Sequence, residues 1–131
     1  MPKIPDISEA EWKVMRLLWG KSPQPAYDLT VELSRQEGWS TSTVKTLLSR
    51  LQKKKAIQVQ RYKNLFLYSP AVTEQECIAR EADSFLDRMF GGSVEPLLVH
   101  FANRKKVTAA HLEQLRRVLR AGAGSSGKDG A

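Results

Sequence analysis

Apolar residues between positions 39 and 53 recur at the spacing of one helical face. They follow the pattern i, i+3, i+4 and i+7, which predicts an amphipathic α-helix: Val44, Leu47, Leu48 and Leu51. The polar positions recur at the same period and carry hydroxyl or cationic side chains: Ser42, Lys45, Thr46, Ser49 and Lys53. Ser40 or Thr41 is expected to cap this helix. The segment therefore predicts one helix with an apolar back and a polar, basic front.

Two further helices are predicted before it. Ser8 and Glu11 form a capping box that begins the first helix, and Gly20 ends it. Residues 22–25 are typical of a proline-containing turn, and a second helix runs from there to about Ser34. The chain therefore begins with three helices joined by turns, and the basic helix is the third.

A β-hairpin is predicted after the third helix. Residues 56–62 alternate between apolar and polar side chains, and Leu65–Tyr68 forms the returning strand, which Pro70 ends. The turn between them is Lys63-Asn64, in which asparagine tolerates a positive φ. Three helices followed by a hairpin is the order of a winged helix-turn-helix, in which the hairpin is the wing. The predicted fold class is thus mainly α.

The remaining chain predicts a helical dimerisation region. Thr73 and Glu76 form a second capping box, and three amphipathic helices follow. Helices of this size rarely bury their apolar faces alone, so mutual burial between two copies is expected. The residues expected in that contact are Phe85, Leu86, Met89, Phe90, Leu97, Leu98, Phe101, Leu112, Leu115 and Leu119. We therefore expect a winged-helix domain at 1–72, a dimerisation region at 73–121 and a disordered Gly/Ser-rich tail at 122–131.

Charge indicates where a polyanion would bind. The chain has a net charge of +7, and residues 40–63 contain no Asp or Glu. Lysine and arginine on the third helix suit phosphates or guanine edges in a DNA major groove, and small hydroxyl groups permit close approach. Arg61 and Lys63 would add contacts from the wing. The alternatives are a solvated polar face for the helix and solubilising charge for the hairpin.

The sequence lacks the residue patterns of an enzyme, a cofactor site or a metal site. Cys77 is the only cysteine and is expected to be a buried, inert thiol, with redox sensing as the alternative. His100 and His111 have no paired ligand nearby. No signal peptide and no apolar run of bilayer length is present, so we expect a cytoplasmic protein.

Several stretches combine a specific order with a specific spacing. They are residues 7–12 with Leu18-Trp19, Trp39-Ser40, residues 43–48 with Arg50-Leu51, Tyr68 with Pro70, and residues 84–93. With them, the chain resembles the penicillinase-repressor family (BlaI/MecI/CopY-type transcriptional repressors) from Ile7 to Leu119. The resemblance implies a homodimeric repressor on a palindromic double-stranded DNA operator. The antibiotic-responsive branch is favoured, because the cysteine motif of the copper-responsive branch is absent.

The resemblance also assigns roles to the third helix and the wing. Lys45 and Thr46 match base-reading positions, and Arg50 matches a phosphate contact, as do the wing residues. The full expected DNA-binding set is Ser42, Thr43, Lys45, Thr46, Ser49, Arg50, Lys53, Arg61 and Lys63. The chain departs from the family at Lys55, where glycine is common, and at Lys63-Asn64, where Gly-Arg is common.

A second implication concerns induction. In the antibiotic-responsive branch a membrane sensor metalloprotease signals, and the repressor is cut at an Asn-Phe bond in its dimerisation region. The matching bond here is His100-Phe101, and the hypothesis is cleavage near it. The alternative is that Phe101 is simply a core residue. A different class of function is a winged-helix module that binds an acidic protein and reads no DNA sequence.

Overall fold

The computed structural model describes residues 3–125 of the chain. Within that range the α-helices are α1 Glu9–Gly20, α2 Ala26–Glu37, α3 Thr41–Lys53, α4 Glu74–Phe90, α5 Glu95–Asn103 and α6 Ala109–Ser125. The strands are β1 Gln24–Pro25, β2 Ile57–Tyr62 and β3 Leu65–Pro70. The chain forms two compact units that divide between Ser84 and Phe85. The first unit holds the three helices and the hairpin of a winged helix, which confirms the predicted fold class.

The first unit is built on the apolar faces of its three helices. All four residues predicted on the back of α3 are buried: Val44, Leu47, Leu48 and Leu51. They belong to one core with buried residues of α1 and α2: Val14, Met15, Leu18, Leu29 and Leu33. Because the back of α3 is held in this core, its polar face points outward.

Side-chain caps fix where α1 and α3 begin. The Ser8 hydroxyl accepts from the Glu11 amide at 3.1 Å, and the Glu11 carboxylate accepts from the Ser8 amide at 2.9 Å, which confirms the first capping box. Ser40 caps α3, and its hydroxyl accepts from the Thr43 amide at 3.2 Å. The start of α3 is therefore set by a local hydrogen bond within its own sequence.

The three strands form one antiparallel sheet in the order β1-β3-β2. β2 and β3 are the predicted wing, in which Ile57 pairs with Pro70 at the base and Tyr62 pairs with Leu65 at the tip. β1 corrects the prediction, because residues 24–25 pair with β3 instead of forming only a turn. A strand of two residues is too short to show an alternating pattern, so the sequence did not predict it.

Lysine occupies unusual backbone positions in this protein. Within residues 3–125 the non-glycine residues with positive φ are Lys55 (65°), Lys63 (57°) and Lys105 (60°). In the wing turn this corrects the expectation for Asn64, because the preceding lysine takes the positive φ. After α3, the Ala56 amide donates to the Leu51 carbonyl at 2.9 Å, which is a helix-ending bond. Such bonds hold lysine in a conformation that glycine adopts without steric penalty.

A buried ion pair ties the N-terminal arm to the end of α3. Glu11 is 1% exposed, and its carboxylate oxygen lies 2.5 Å from Lys54 Nζ. Lys54 Nζ also donates to the Asp6 carbonyl at 2.8 Å. Burial raises the pKa of the Glu11 carboxyl, but hydrogen bonds from Lys54 and Ser8 together outweigh it, so that the pKa is lowered. Lys54 therefore serves the fold of the first unit.

Helix α4 begins in the first unit and ends in the second. Cys77 lies in its first part and is 2% exposed within the winged-helix core. The division lies later than the one expected at residues 72–73, because this part of α4 fills that core. Burial raises the pKa of the Cys77 thiol, as does the charge of Glu76. Both effects disfavour the reactive thiolate.

The second unit holds the end of α4, with α5 and α6. Thr108 caps α6, and its hydroxyl accepts from the His111 amide at 3.2 Å. His111 Nδ1 in turn accepts from the Thr108 amide at 3.1 Å, as a glutamate does in a capping box. Because α6 continues to Ser125, the tail expected from residue 122 overlaps the helix for four residues. The rest of that expected tail, residues 126–131, lies outside the described residues.

Candidate nucleic-acid interface

The polar face of α3 is a continuous exposed surface. Its hydroxyl and cationic side chains line a shallow depression along the helix: Thr41, Ser42, Lys45, Thr46, Ser49, Arg50 and Lys53. The predicted DNA-binding set includes all of these except Thr41, which the sequence offers only as a cap. Thr43 is also exposed but lies outside the depression, and its amide donates to the Ser40 hydroxyl. The structure thus brings the predicted helix residues together, apart from Thr43.

Cations dominate this face because residues 40–63 contain no carboxylate. One cation of the segment, Lys54, is turned inward by its ion pair. Lys45, Arg50 and Lys53 have no ion-pair partner among residues 3–125. Their charges are therefore available to an external anion, and short hydroxyl groups lie between them.

The wing carries two cation–aromatic pairs near its tip. The Arg61 guanidinium carbon lies 5.8 Å from the ring centroid of Phe66, which is its partner across the strands. Lys63 Nζ lies 5.4 Å from the ring centroid of Tyr62. Phe66 and Tyr62 are 54% and 58% exposed. Both distances are within the range of a cation–π contact.

A groove runs between α3 and the wing. It is lined from three parts of the first unit, including Tyr27, Lys45, Ser49, Gln52, Asn64 and Phe66. None of the described residues that line it carries a carboxylate. The sequence reading missed Tyr27 and Phe66 because exposed aromatic residues look like core residues in a hydrophobic pattern. The position of Phe66 opposite Arg61 is the signal that could have found it.

The second unit leaves the apolar side chains predicted for dimerisation exposed or half-buried. None of the described side chains of α5 and α6 is buried. The exposed members of the predicted set are Phe85, Met89, Leu98, Phe101, Leu112, Leu115 and Leu119, and the half-buried members are Leu86, Phe90 and Leu97. The single chain therefore leaves a large apolar surface uncovered on this unit.

The His100-Phe101 bond, for which the sequence resemblance predicts cleavage, lies inside α5. His100 and Phe101 are both exposed, and their ring centroids are 5.2 Å apart. A peptide bond in a helix is not extended as a protease requires, so cleavage there needs local unfolding. α5 is nine residues long and has no buried residue, which favours such opening.

The part of the chain that the structure describes contains no group of three His, Cys, Asp or Glu side chains placed to share a metal ion. No helix in the same range has both the length and the apolar character needed to cross a bilayer. Cys77 has no disulfide partner.

Comparison with known proteins identifies the family. The penicillinase repressor family model matches residues 7–121. The penicillinase repressor of Staphylococcus aureus is 33% identical over 114 residues, which cover 87% of this chain and 90% of that protein. The penicillinase repressor of Bacillus licheniformis is 32% identical over 119 residues, which cover 91% and 93%. A solution structure of Bacillus licheniformis BlaI, in monomeric form with the blaP half-operator, has a TM-score of 0.52 and 38% identity over 58% of this chain and 93% of that chain. The chain belongs to the penicillinase repressor family of transcriptional regulators.

Proposed function

We propose that this protein is a homodimeric repressor that binds a palindromic DNA operator through α3 of each protomer. Its family makes it a DNA-binding transcriptional repressor and not an enzyme. The observation that carries the finer proposal is the exposed depression on α3, which combines hydroxyl groups with unpaired cations. The buried back of the same helix holds this face rigidly, as a helix placed in a major groove requires.

The proposal divides the DNA contacts into base reading and backbone positioning. Lys45 and Thr46 lie within the depression and are assigned to base edges. A lysine donates to guanine O6 and N7, and a threonine offers a hydroxyl and a methyl group. Arg50 on the helix and Arg61 with Lys63 on the wing are assigned to phosphates, which fix orientation without reading sequence. Ser42, Thr43, Ser49 and Lys53 complete the proposed DNA surface.

Dimerisation is proposed to occur through the second unit. The uncovered apolar residues of α4, α5 and α6 are best buried against the same residues of a second copy. Two α3 helices on one face of DNA require half-sites about 34 Å apart, or a multiple of that distance. Because the dimer links two weak half-site contacts, the second contact forms at a high effective concentration. Loss of the dimer would therefore release the operator.

We extend the proposal to induction by proteolysis. The match of His100-Phe101 to the family's Asn-Phe bond supports cleavage there, downstream of a membrane sensor metalloprotease. The short, unburied α5 supports local opening of that bond. A cut within α5 would remove α6 from the apolar surface that the proposed dimer needs.

Selection of DNA sequences tests the main proposal. Wild type and Lys45→Ala are each titrated with random duplexes at physiological salt, with excess nonspecific competitor. We expect wild type to enrich a palindrome, and the variant to lose about 1–3 kcal/mol of binding free energy for it. Lys13→Ala removes the same charge from a lysine that is paired with Glu37, and serves as the matched control. No enrichment by wild type would contradict the proposal and favour a module that binds an acidic protein.

A further inference from the structure

Two aromatic residues at the tip of the wing, Tyr62 and Phe66, are exposed and lie outside the hydrophobic core. Phe66 is 54% exposed, and it lies directly opposite Arg61 in the sheet. Residues opposed in this way have side chains on the same face of the hairpin. The Arg61 guanidinium lies over the Phe66 ring at 5.8 Å, within the range of a cation–π contact. The ring therefore contacts the arginine and does little to fill the core.

Arg61 is restrained at a second point. Its Nε donates to the Lys63 carbonyl at 3.2 Å, so the side chain is tied to the turn of the wing. The two terminal nitrogens have no hydrogen-bond partner among residues 3–125. The guanidinium is held by the Phe66 ring on one face and by the hydrogen bond at Nε. Its two terminal nitrogens can still donate outward. This arrangement leaves the donors that would form a bidentate contact with a phosphate free to do so.

The face of the wing that carries Phe66 borders the groove beside α3. Lys45 and Ser49 line the same groove, and none of the described lining residues carries a carboxylate. Its charge therefore matches a polyanion, and its aromatic and apolar lining can meet the sugars of a nucleic-acid strand. Among ligands of that character, a phosphodiester strand is the one that α3 would bring to this groove if it read the adjacent bases.

We propose that Phe66 is a positioning residue that holds Arg61 for contact with a phosphate of the operator strand lying between α3 and the wing. The inference rests on the proposed function, because it places duplex DNA on α3. It adds that the grip of the wing on the backbone depends on a ring that makes no hydrogen bond itself. The ring already restricts the Arg61 side chain before DNA binds. Less side-chain conformational entropy is therefore lost when the arginine contacts a phosphate.

A double-mutant cycle tests the coupling between the two residues. The full-length variants are Phe66→Leu, Phe66→Tyr, Arg61→Gln and the double variant Phe66→Leu with Arg61→Gln. Each is titrated against the selected palindrome and against a scrambled duplex over a range of salt concentrations. Leucine keeps apolar bulk without the ring, and tyrosine keeps the ring. Gln60→Ala is the matched control, because Gln60 is exposed in the same strand as Arg61, points to the opposite face and does not line the groove.

We expect Phe66→Leu to weaken binding to both duplexes by about three- to tenfold, because phosphate contacts do not read sequence. Phe66→Tyr and Gln60→Ala should both bind as wild type does. Arg61→Gln should lower the salt dependence of binding by about one phosphate contact per protomer. In that background Phe66→Leu should have no further effect. Thermal unfolding should show that each variant is folded.

Two results would overturn the inference. One is an equal loss from Phe66→Leu with and without Arg61, which would mean that the ring contacts DNA or the fold directly. The other is wild-type binding by Phe66→Leu. The proposed function fails in a different way, namely through a wild type that does not prefer the palindrome to the scrambled duplex. The cycle on the scrambled duplex still decides the coupling in that case.

Discussion

Replacing Lys54 with alanine should destabilise the first unit more than replacing Glu11 with glutamine. The two residues form the ion pair that joins the N-terminal arm and α1 to the end of α3. They differ in how far each can reach water. Glu11 is almost fully buried, whereas the Lys54 side chain is 35% exposed. The charge left behind by each substitution therefore meets a different environment.

The two losses follow from this difference. Glutamine at position 11 keeps the shape of glutamate and can still accept from the Ser8 amide. The lysine that it leaves unpaired keeps the Asp6 carbonyl and solvent, so the loss should be about 1–2 kcal/mol. Alanine at position 54 leaves a buried carboxylate without its cation. That loss should be about 2–4 kcal/mol, below the value for a fully buried pair because the lysine was partly solvated.

Tryptophan fluorescence during urea unfolding measures these losses. All three tryptophans lie in the first unit, and the rings of Trp12 and Trp19 are 5.6 Å apart in edge-to-face contact. The signal therefore follows the unit that contains the ion pair. The double variant Glu11→Gln with Lys54→Ala should recover part of the loss of Lys54→Ala, because it buries no charge.

Acid should weaken the same contact. The pKa of Glu11 is lower in the folded protein than in the unfolded chain. Its contribution to stability is thus complete above the ordinary glutamate pKa and is lost as the pH falls through the lowered, folded value. The difference in unfolding free energy between wild type and Glu11→Gln should shrink over that acid range. A larger loss from Glu11→Gln than from Lys54→Ala, or a difference that grows in acid, would refute the reasoning.

Three further variants test the fold, the dimer and induction. Ser40→Ala removes the cap of α3 and should lower the unfolding free energy by about 1 kcal/mol in urea; an unchanged value would mean that the cap is replaced by water. Leu119→Asp places a charge on the exposed apolar face of α6 and should shift sedimentation equilibrium towards monomer, whereas Gln114→Asp should not. Phe101→Ile keeps an apolar side chain but changes the residue after the proposed scissile bond. It should abolish the fragment seen on an immunoblot after induction and leave repression constitutive; an unchanged fragment would contradict cleavage at this bond.

The elements that sequence predicts well are those whose signal is local. The apolar back of α3 repeats over consecutive turns, and the capping box of Ser8 and Glu11 spans four residues. The same repeat locates the polar face, because the two faces of one helix are read together. Most of the candidate helix surface could therefore be named from sequence before any coordinates.

The contacts that sequence did not predict depend on distant residues or on strand register. Lys54 lies 43 positions from Glu11, and no local sequence pattern near either residue indicates that they form an ion pair. A distant partner such as Glu11 decides whether a lysine stabilises the fold or stays available to a ligand. The run of basic residues alone therefore could not show that Lys54 and Lys53 differ in this respect. The pairing of Arg61 with Phe66 likewise follows only after the turn fixes the register of the hairpin.

The short strand β1 makes one part of the wing stiffer than its tip. It pairs with Leu67 and Tyr68, so that the middle of β3 has a neighbour on both edges, whereas Leu65 and Phe66 at the tip are paired with β2 alone. A two-stranded ribbon twists and bends more easily than a three-stranded sheet. The wing is therefore held firmly where β3 pairs with β1 and is more flexible at its tip. In the proposed complex with DNA, bending beyond Leu67 would let the wing meet duplexes of different groove width, while Leu67 and Tyr68 stay paired with β1.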